Sequence, residues 1–133
     1  MFSHIIVGAR DLGVMVAFYE AVMGPLGFER MPEEDDGGPA GVGWQLPGKR
    51  WPQFFVQQPF NGLPATCGNG MQVSFACASR EQVQAAWATA IAHGGADEGA
   101  PGVRPQYAED YFGAYCRDPE GNKLCFVHAD DMA

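Results

Sequence analysis

The feature that most constrains this chain is an internal repeat. Sliding the sequence by 68 residues sets His4 on Gln72, Asp11 on Ser79, Tyr19 on Trp87, Gly27 on Gly95 and Glu29 on Asp97, and at the far end Gln57 on Cys125. Self-similarity at a fixed period means that one supersecondary unit is used twice. Both ends of the unit match without a gap, which places two units at about residues 1–59 and 70–128 of the 133-residue chain. The length suits one domain, 1–133, large enough to bury a core without a metal or disulfide staple.

Each unit reads as a strand, a helix and three strands. Residues 4–8, His-Ile-Ile-Val-Gly, are β-branched and short, as strands are. Asp11 is an N-cap, and Met15, Phe18, Tyr19, Val22 and Leu26 form the apolar stripe of a helix that Gly24-Pro25 should end. Residues 32–43, rich in Pro, Glu, Asp and Gly, read as a loop. Residues 44–46 and 52–58 read as strands, and Pro59 to Gly70 as a linker. In the second unit Met71 to Cys77 alternates apolar and polar side chains, the pattern of a half-buried strand. Ser79 and Gln82 form a capping box, Val83, Trp87, Ala90 and Ile91 give the helical stripe, and Gly94-Gly95 ends it. Residues 111–117 and 122–128 are strands joined by Asp-Pro-Glu-Gly, a type I turn with a left-handed Gly121. The fold class is therefore α+β: two βαβββ modules forming a curved mixed sheet with a central cleft, helices outside. The cleft is the natural ligand site.

Composition narrows the partners. Eight Lys and Arg against 16 Asp and Glu give a net charge of −8. Non-specific binding to nucleic acid or to anionic lipid needs a basic face, so neither is expected. No apolar run approaches 18 residues and no basic-then-apolar leader opens the sequence. A cytoplasmic location is expected. Cys67, Cys77, Cys116 and Cys125 form no Cys-x-x-Cys pair, so no zinc ribbon or dithiol redox site is implied, and Cys67, Cys77 and Cys116 read as buried thiols.

Three stretches carry a resemblance: "HIIVGARDLGVMVAFYEAVMGPLGFE", "GNGMQVSFACASREQVQAAWATAIAHGG" and the closing "YCRDPEGNKLCFV". Together they resemble the glyoxalase/bleomycin resistance protein/dioxygenase group, the vicinal oxygen chelate superfamily. The resemblance implies a divalent metal in the cleft, held from the first and last strands of each module, usually by His or Gln, Glu, His and Glu. Those positions map to His4, Gln57, Gln72 and Cys125. Only His4 keeps a common ligand type, and both carboxylates are replaced. A hard cation wants anionic oxygens, and glyoxalase-type isomerisation wants a carboxylate base. No cofactor is therefore expected; zinc or nickel are the metals that His4 and a Cys125 thiolate could hold. The resemblance also implies a homodimer.

The candidate catalytic residues are His4, Cys125 and Tyr115. With Gly121 as a bulge, residues 118 and 122 pair, Tyr115 lies opposite Cys125, and both face the cleft, while Cys116, Leu124 and Phe126 face the helices. Cys125 reads either as a reactive thiol beside a phenol or as a small hydrophobe filling a vacated ligand pocket. His4 reads as ligand, base or hydrogen-bonded core histidine. His93 complements the dipole of its helix, and His128 is expected to be exposed. The candidate binding residues are Gln57, Gln72 and Ser74 on polar strand faces, Trp51 and Phe55, and Arg104, Gln106, Tyr107 and Tyr111 from the segment before the seventh strand. Arg104 reads as a receptor for a carboxylate or as a surface charge. Two functions stay open: a glyoxalase-like enzyme (lyase, isomerase or dioxygenase type) acting through His4 on a small molecule, and a non-catalytic binder of the bleomycin-resistance type.

Overall fold

The computed structural model describes residues 1–33 and 35–132. The first module holds β1 (His4–Gly8), α1 (Leu12–Leu26), β2 (Glu29–Arg30), β3 (Gly41–Gln45) and β4 (Gln53–Gln57). The second holds β5 (Gln72–Ala76), α2 (Arg80–Ala92), β6 (Ala96–Val103), β7 (Phe112–Arg117) and β8 (Lys123–His128). The strands form two four-stranded mixed sheets, ordered β1-β4-β3-β2 and β5-β8-β7-β6. In each, the first and last strands run parallel and the rest antiparallel.

Local chemistry sets the helix ends. The Asp11 carboxylate accepts from the amide of Val14 at 3.1 Å, and the Ser79 hydroxyl from that of Gln82 at 3.1 Å, each satisfying an otherwise orphaned first-turn donor. The Gln82 side chain reaches back to the Ala78 amide at 2.6 Å, which completes a reciprocal cap. α1 does not stop at Gly24-Pro25 as the sequence suggested. It continues through Leu26, which is buried, and ends at Gly27 with φ of 81°. Proline removes one donor of the last turn. The left-handed glycine closes the end instead, with the Gly27 and Phe28 amides donating to the carbonyls of Gly24 and Met23.

β3 overlaps the strand expected at 44–46 but starts earlier, and β2 (Glu29–Arg30) and β6 fall where no strand was expected. β3 begins at Gly41, inside the expected loop, and β6 runs through Ala96–Val103. The glycines of β3 and the Gly, Pro and acidic residues of β6 hide the alternating signal, and pairing with β4 and β7 holds the two strands in place. Cys67 is exposed rather than buried, because it sits in the linker between modules. His128 is half-buried rather than exposed, and its Nδ1 lies 2.8 Å from the Cys77 carbonyl.

The helix-facing sides of both sheets share one core. It unites Met15, Tyr19, Trp44, Phe54 and Val56 with Phe75, Val83, Cys116, Leu124 and Phe126. Phe75 of the second module bridges the two, stacked on Phe126 and packed edge-on against Phe28 and Phe54. Polar bonds tie the modules as well. Tyr19 donates to the buried Asp118 at 2.7 Å, Gln82 donates to the Pro25 carbonyl at 3.0 Å, and Glu120 accepts from the amides of Arg10 and Asp11. Because the core lies on the helix side, the opposite strand faces, bearing His4 and Gln72, turn away from it. No helix among the described residues is long and apolar enough to cross a membrane.

Candidate functional site

The open face of the second module is floored by β5, β8 and β7. The register pairs Gln72 with Lys123, Ser74 with Cys125, and Tyr115 with Cys125 across the hairpin, so these side chains share one face. The hairpin geometry expected from Asp-Pro-Glu-Gly is present: the Asp118 amide donates to the Asn122 carbonyl at 2.9 Å. Cys116, Leu124 and Phe126 point into the core on the helix side.

Glycine at 113 makes room for the roof of this site. A Cβ there would stand 2.8 Å from Cε1 of Tyr111, closer than real Cβ atoms come, so the Tyr111 ring can fold over the sheet only above a glycine. Its hydroxyl then meets that of Tyr115 at 2.9 Å and Sγ of Cys125 at 3.5 Å. Burial, followed by the bonds to Tyr115 and Cys125, raises the Tyr111 pKa, and burial also raises that of Tyr115. Both phenols stay protonated at neutral pH. Tyr107 packs on Tyr111 with ring centroids 5.1 Å apart. The carbonyl of Tyr115 accepts from the indole of Trp87 at 3.2 Å, which anchors β7 to α2.

An open cavity of about 640 Å³ lies here, lined by Gln72, Glu98, Arg104, Tyr107, Tyr111, Tyr115 and Lys123. Arg104 is positioned by its own bond to the Ala100 carbonyl at 2.8 Å. Its guanidinium carbon and the Lys123 ammonium lie 5.6 and 5.4 Å from the centre of the Tyr115 ring, within cation–π range. Glu98 is taken up by Arg117 at 2.6 Å.

The first module offers a separate open face. His4 lies between Trp51 and Phe55, with ring centroids 6.4 and 6.2 Å away, and its Nδ1 is 2.9 Å from the Ser3 hydroxyl. Arg50 sits over Trp51 at 4.8 Å.

The structure brings five of the candidate binding and catalytic residues together. Gln72, Arg104, Tyr107, Tyr111 and Tyr115 meet in one cavity, with Ser74 beside Gln72, whose amide donates to it at 2.9 Å. His4, Trp51 and Phe55 meet in the other module. Gln106 is exposed and lines no part of the cavity. Cys125 is fully buried beneath Tyr111 rather than open to the cavity. Lys123 and Glu98 were missed. Lys123 was legible, since the hairpin pairing that set Tyr115 against Cys125 also sets Arg117 against Lys123.

Gln57 needs a correction. His4 pairs with Gln53, whereas Gln72, 68 positions on, pairs with Lys123, 70 positions beyond Gln53. The modules therefore differ in loop length, and the ungapped repeat slips by two residues at the last strand. Phe55, not Gln57, is the structural counterpart of Cys125. Gln57 pairs with Gly8, four residues along from His4, about 13 Å away at ~3.3 Å per residue. The four positions that would hold a metal in such modules thus present an imidazole, a phenyl ring, an amide and a buried thiol. That set offers no anionic oxygen and does not fit a divalent cation. Among the described residues no three His, Cys, Asp or Glu side chains converge as a metal site would need.

Comparison with known proteins now decides the family. The sequence model of the Glyoxalase/Bleomycin resistance protein/Dioxygenase superfamily matches residues 1–126. The chain belongs to this superfamily. It is similar to a glyoxalase/bleomycin resistance protein from Albidiferax ferrireducens T118, at 40% identity over 96% of this chain and 98% of that one, with a TM-score of 0.80. A glyoxalase/bleomycin resistance protein/dioxygenase family enzyme from Burkholderia phytofirmans PsJN shares the fold at 22% identity, over 96% and 97% of the two chains, TM-score 0.71. Lactoylglutathione lyase from Agrobacterium tumefaciens shares it at 19% identity, over 96% and 92%, TM-score 0.64. No curated protein matches the chain.

Proposed function

We propose that this superfamily member binds a small organic molecule over the tyrosine-lined face of its second module, without the superfamily's metal. The observation that carries the reading is the Tyr111–Tyr115–Cys125 arrangement. Two phenols close over the strand position where a ligand carboxylate would stand, and the thiol beneath them fills space instead of binding metal. A cavity of about 640 Å³ remains above, lined by three tyrosines and by Gln72, Glu98, Arg104 and Lys123; it is more polar than most small-molecule sites, with aromatic surface beside convergent polar groups.

The two open faces of one chain lie on separate sheets, and we infer that a second copy completes a cleft over each. Phe2, Ile6 and Met71 are 80%, 50% and 67% exposed along β1 and just before β5. Exposed apolar side chains beside a half-formed cleft favour a homodimer in which the first module of one copy covers the second module of the other. Sedimentation should then give twice the 14.3 kDa chain mass. Free thiols fit a cytoplasmic location.

A second reading, catalysis, is favoured by His4 alone. Its imidazole is exposed on the open face and oriented by Ser3, where it could serve as a base. One experiment separates the two. The purified protein is screened with a metabolite library by ligand-observed NMR, and each binder is followed over hours by its own proton spectrum, which also reveals isomerisation. Ligands recovered unchanged support the binding reading. Turnover abolished by His4→Ala overturns it in favour of catalysis. Titration with zinc and nickel accompanies the screen; one tightly bound equivalent lost in His4→Ala would overturn the metal-free site.

A further inference from the structure

The cavity of the second module has a sign of charge opposite to that of the molecule. The chain carries a net charge of −8 and only eight Lys and Arg residues. Two of them, Arg104 and Lys123, converge on the ring of Tyr115 at one cavity. Among the described residues, neither is within ion-pair distance of a carboxylate. The one carboxylate of the lining, Glu98, is already paired with Arg117. Like charges brought together on one small surface repel, and among the described residues no ion pair with a carboxylate offsets them. The remaining walls are the Gln72 amide and the rings of Tyr107 and Tyr111, inclined at 60° to each other, a corner that can take a flat ring face-on to one and edge-on to the other. Tyr115 and Tyr111, held protonated by burial, offer hydrogen bonds without adding negative charge.

Deepening the small-molecule reading on which it rests, we propose that this cavity selects an anionic ligand: a carboxylate received by Arg104 and Lys123, on a flat apolar body that meets one of the Tyr107 and Tyr111 rings face-on and the other edge-on. Arg104 suits the role because a guanidinium meets a carboxylate through two parallel N–H bonds. The same charges disfavour a cationic ligand, so the site discriminates by sign as well as by shape.

The test uses three probes of one shape on the intact protein: 2-naphthoate, neutral 2-naphthamide and cationic 2-naphthylmethylamine. Binding is followed by amide shift changes, which also report location. Naphthoate should bind at Tyr111, Tyr115 and Lys123, at least about tenfold more tightly than naphthamide, with the amine weakest. Arg104→Gln and Lys123→Gln should each weaken naphthoate by roughly fivefold, weaken naphthamide by a smaller factor and keep the folded spectrum. Arg104→Lys should restore part of the loss, and 0.5 M salt should narrow the preference. Equal binding of naphthoate and naphthamide in the cavity would overturn the charge selectivity while leaving the small-molecule site standing. Failure of every probe to perturb these residues would overturn both.

Discussion

The bond between Tyr19 and Asp118 joins α1 of one module to the hairpin of the other, and removing it gives a measurable cost. Tyr19 is fully buried and Asp118 is 3% exposed, with the phenol donating to Oδ2 at 2.7 Å. The carboxylate also accepts from the Asn122 side chain at 2.8 Å and from the amides of Glu120 and Asn122 at 2.9 and 3.0 Å. Tyr19→Phe deletes one bond to a charged acceptor and leaves three donors, so the carboxylate is not orphaned. The expected loss is about 2 kcal/mol, within the range for hydrogen bonds to charged groups. Asp118→Ala strands the phenol and two amides together and should cost roughly 3–5 kcal/mol. Urea unfolding at pH 7 and fixed chain concentration measures both, and the double variant gives the coupling. A Tyr19→Phe loss under about 0.5 kcal/mol, or no coupling, would refute the inter-module role. The pH dependence gives a second reading. Burial, then the charge of Asp118, raises the folded Tyr19 pKa, whereas an unfolded tyrosine ionises near ~10. Its contribution is fully present below about pH 10 and is lost as pH rises toward the folded value. Tyr19→Phe should flatten that part of the alkaline decline.

Other outcomes follow from single contacts. Gly113→Ala places a Cβ 2.8 Å from the Tyr111 ring; it should swing that ring out, cost about 1–3 kcal/mol of stability and weaken 2-naphthoate binding, and unchanged affinity would detach Tyr111 from the site. Glu120→Ala removes the acceptor of the Arg10 and Asp11 amides, at 2.7 and 2.9 Å, and should cost about 1 kcal/mol in urea unfolding; no change would mean that water replaces it fully. Burial raises the folded thiols of Cys77 to about 11 and Cys116 to about 12, while unfolded thiols ionise near ~8.5. Stability should therefore begin to fall above about pH 8.5, and Cys116→Ala should reduce that slope; a slope identical to the parent's would refute the assignment.

How much of the site was legible follows from the range of each signal. The caps at Asp11 and Ser79, the alternation from Met71 to Cys77 and the turn at Asp-Pro-Glu-Gly are written within a few residues, and each appears where it was read. So does the pairing of Tyr115 with Cys125, because a short hairpin propagates its register outward from the turn. β3 was legible only in its last two residues, and β2 and β6 not at all, since the glycines and acids of β6 and the two-residue length of β2 carry no periodic signal. The gathering of Arg104, Tyr107, Tyr111 and Tyr115 was suggested by their composition. That Lys123 joins them while Gln106 does not required the path of the chain.

By itself, the sequence determined the α+β class, the twofold use of one βαβββ unit and the facing of the side chains in β5, β7 and β8. Those properties depend on periodicity, caps and turns, all of them local. Only the tertiary structure decided that Phe55 rather than Gln57 is the counterpart of Cys125. It alone shows that Tyr111 folds over that thiol and that the open faces of one chain are separate. The physical reason for the first of these lies in strand alignment. Parallel strands about 50 residues apart are aligned by backbone hydrogen bonds, and loops of unequal length shift that alignment without altering any local pattern.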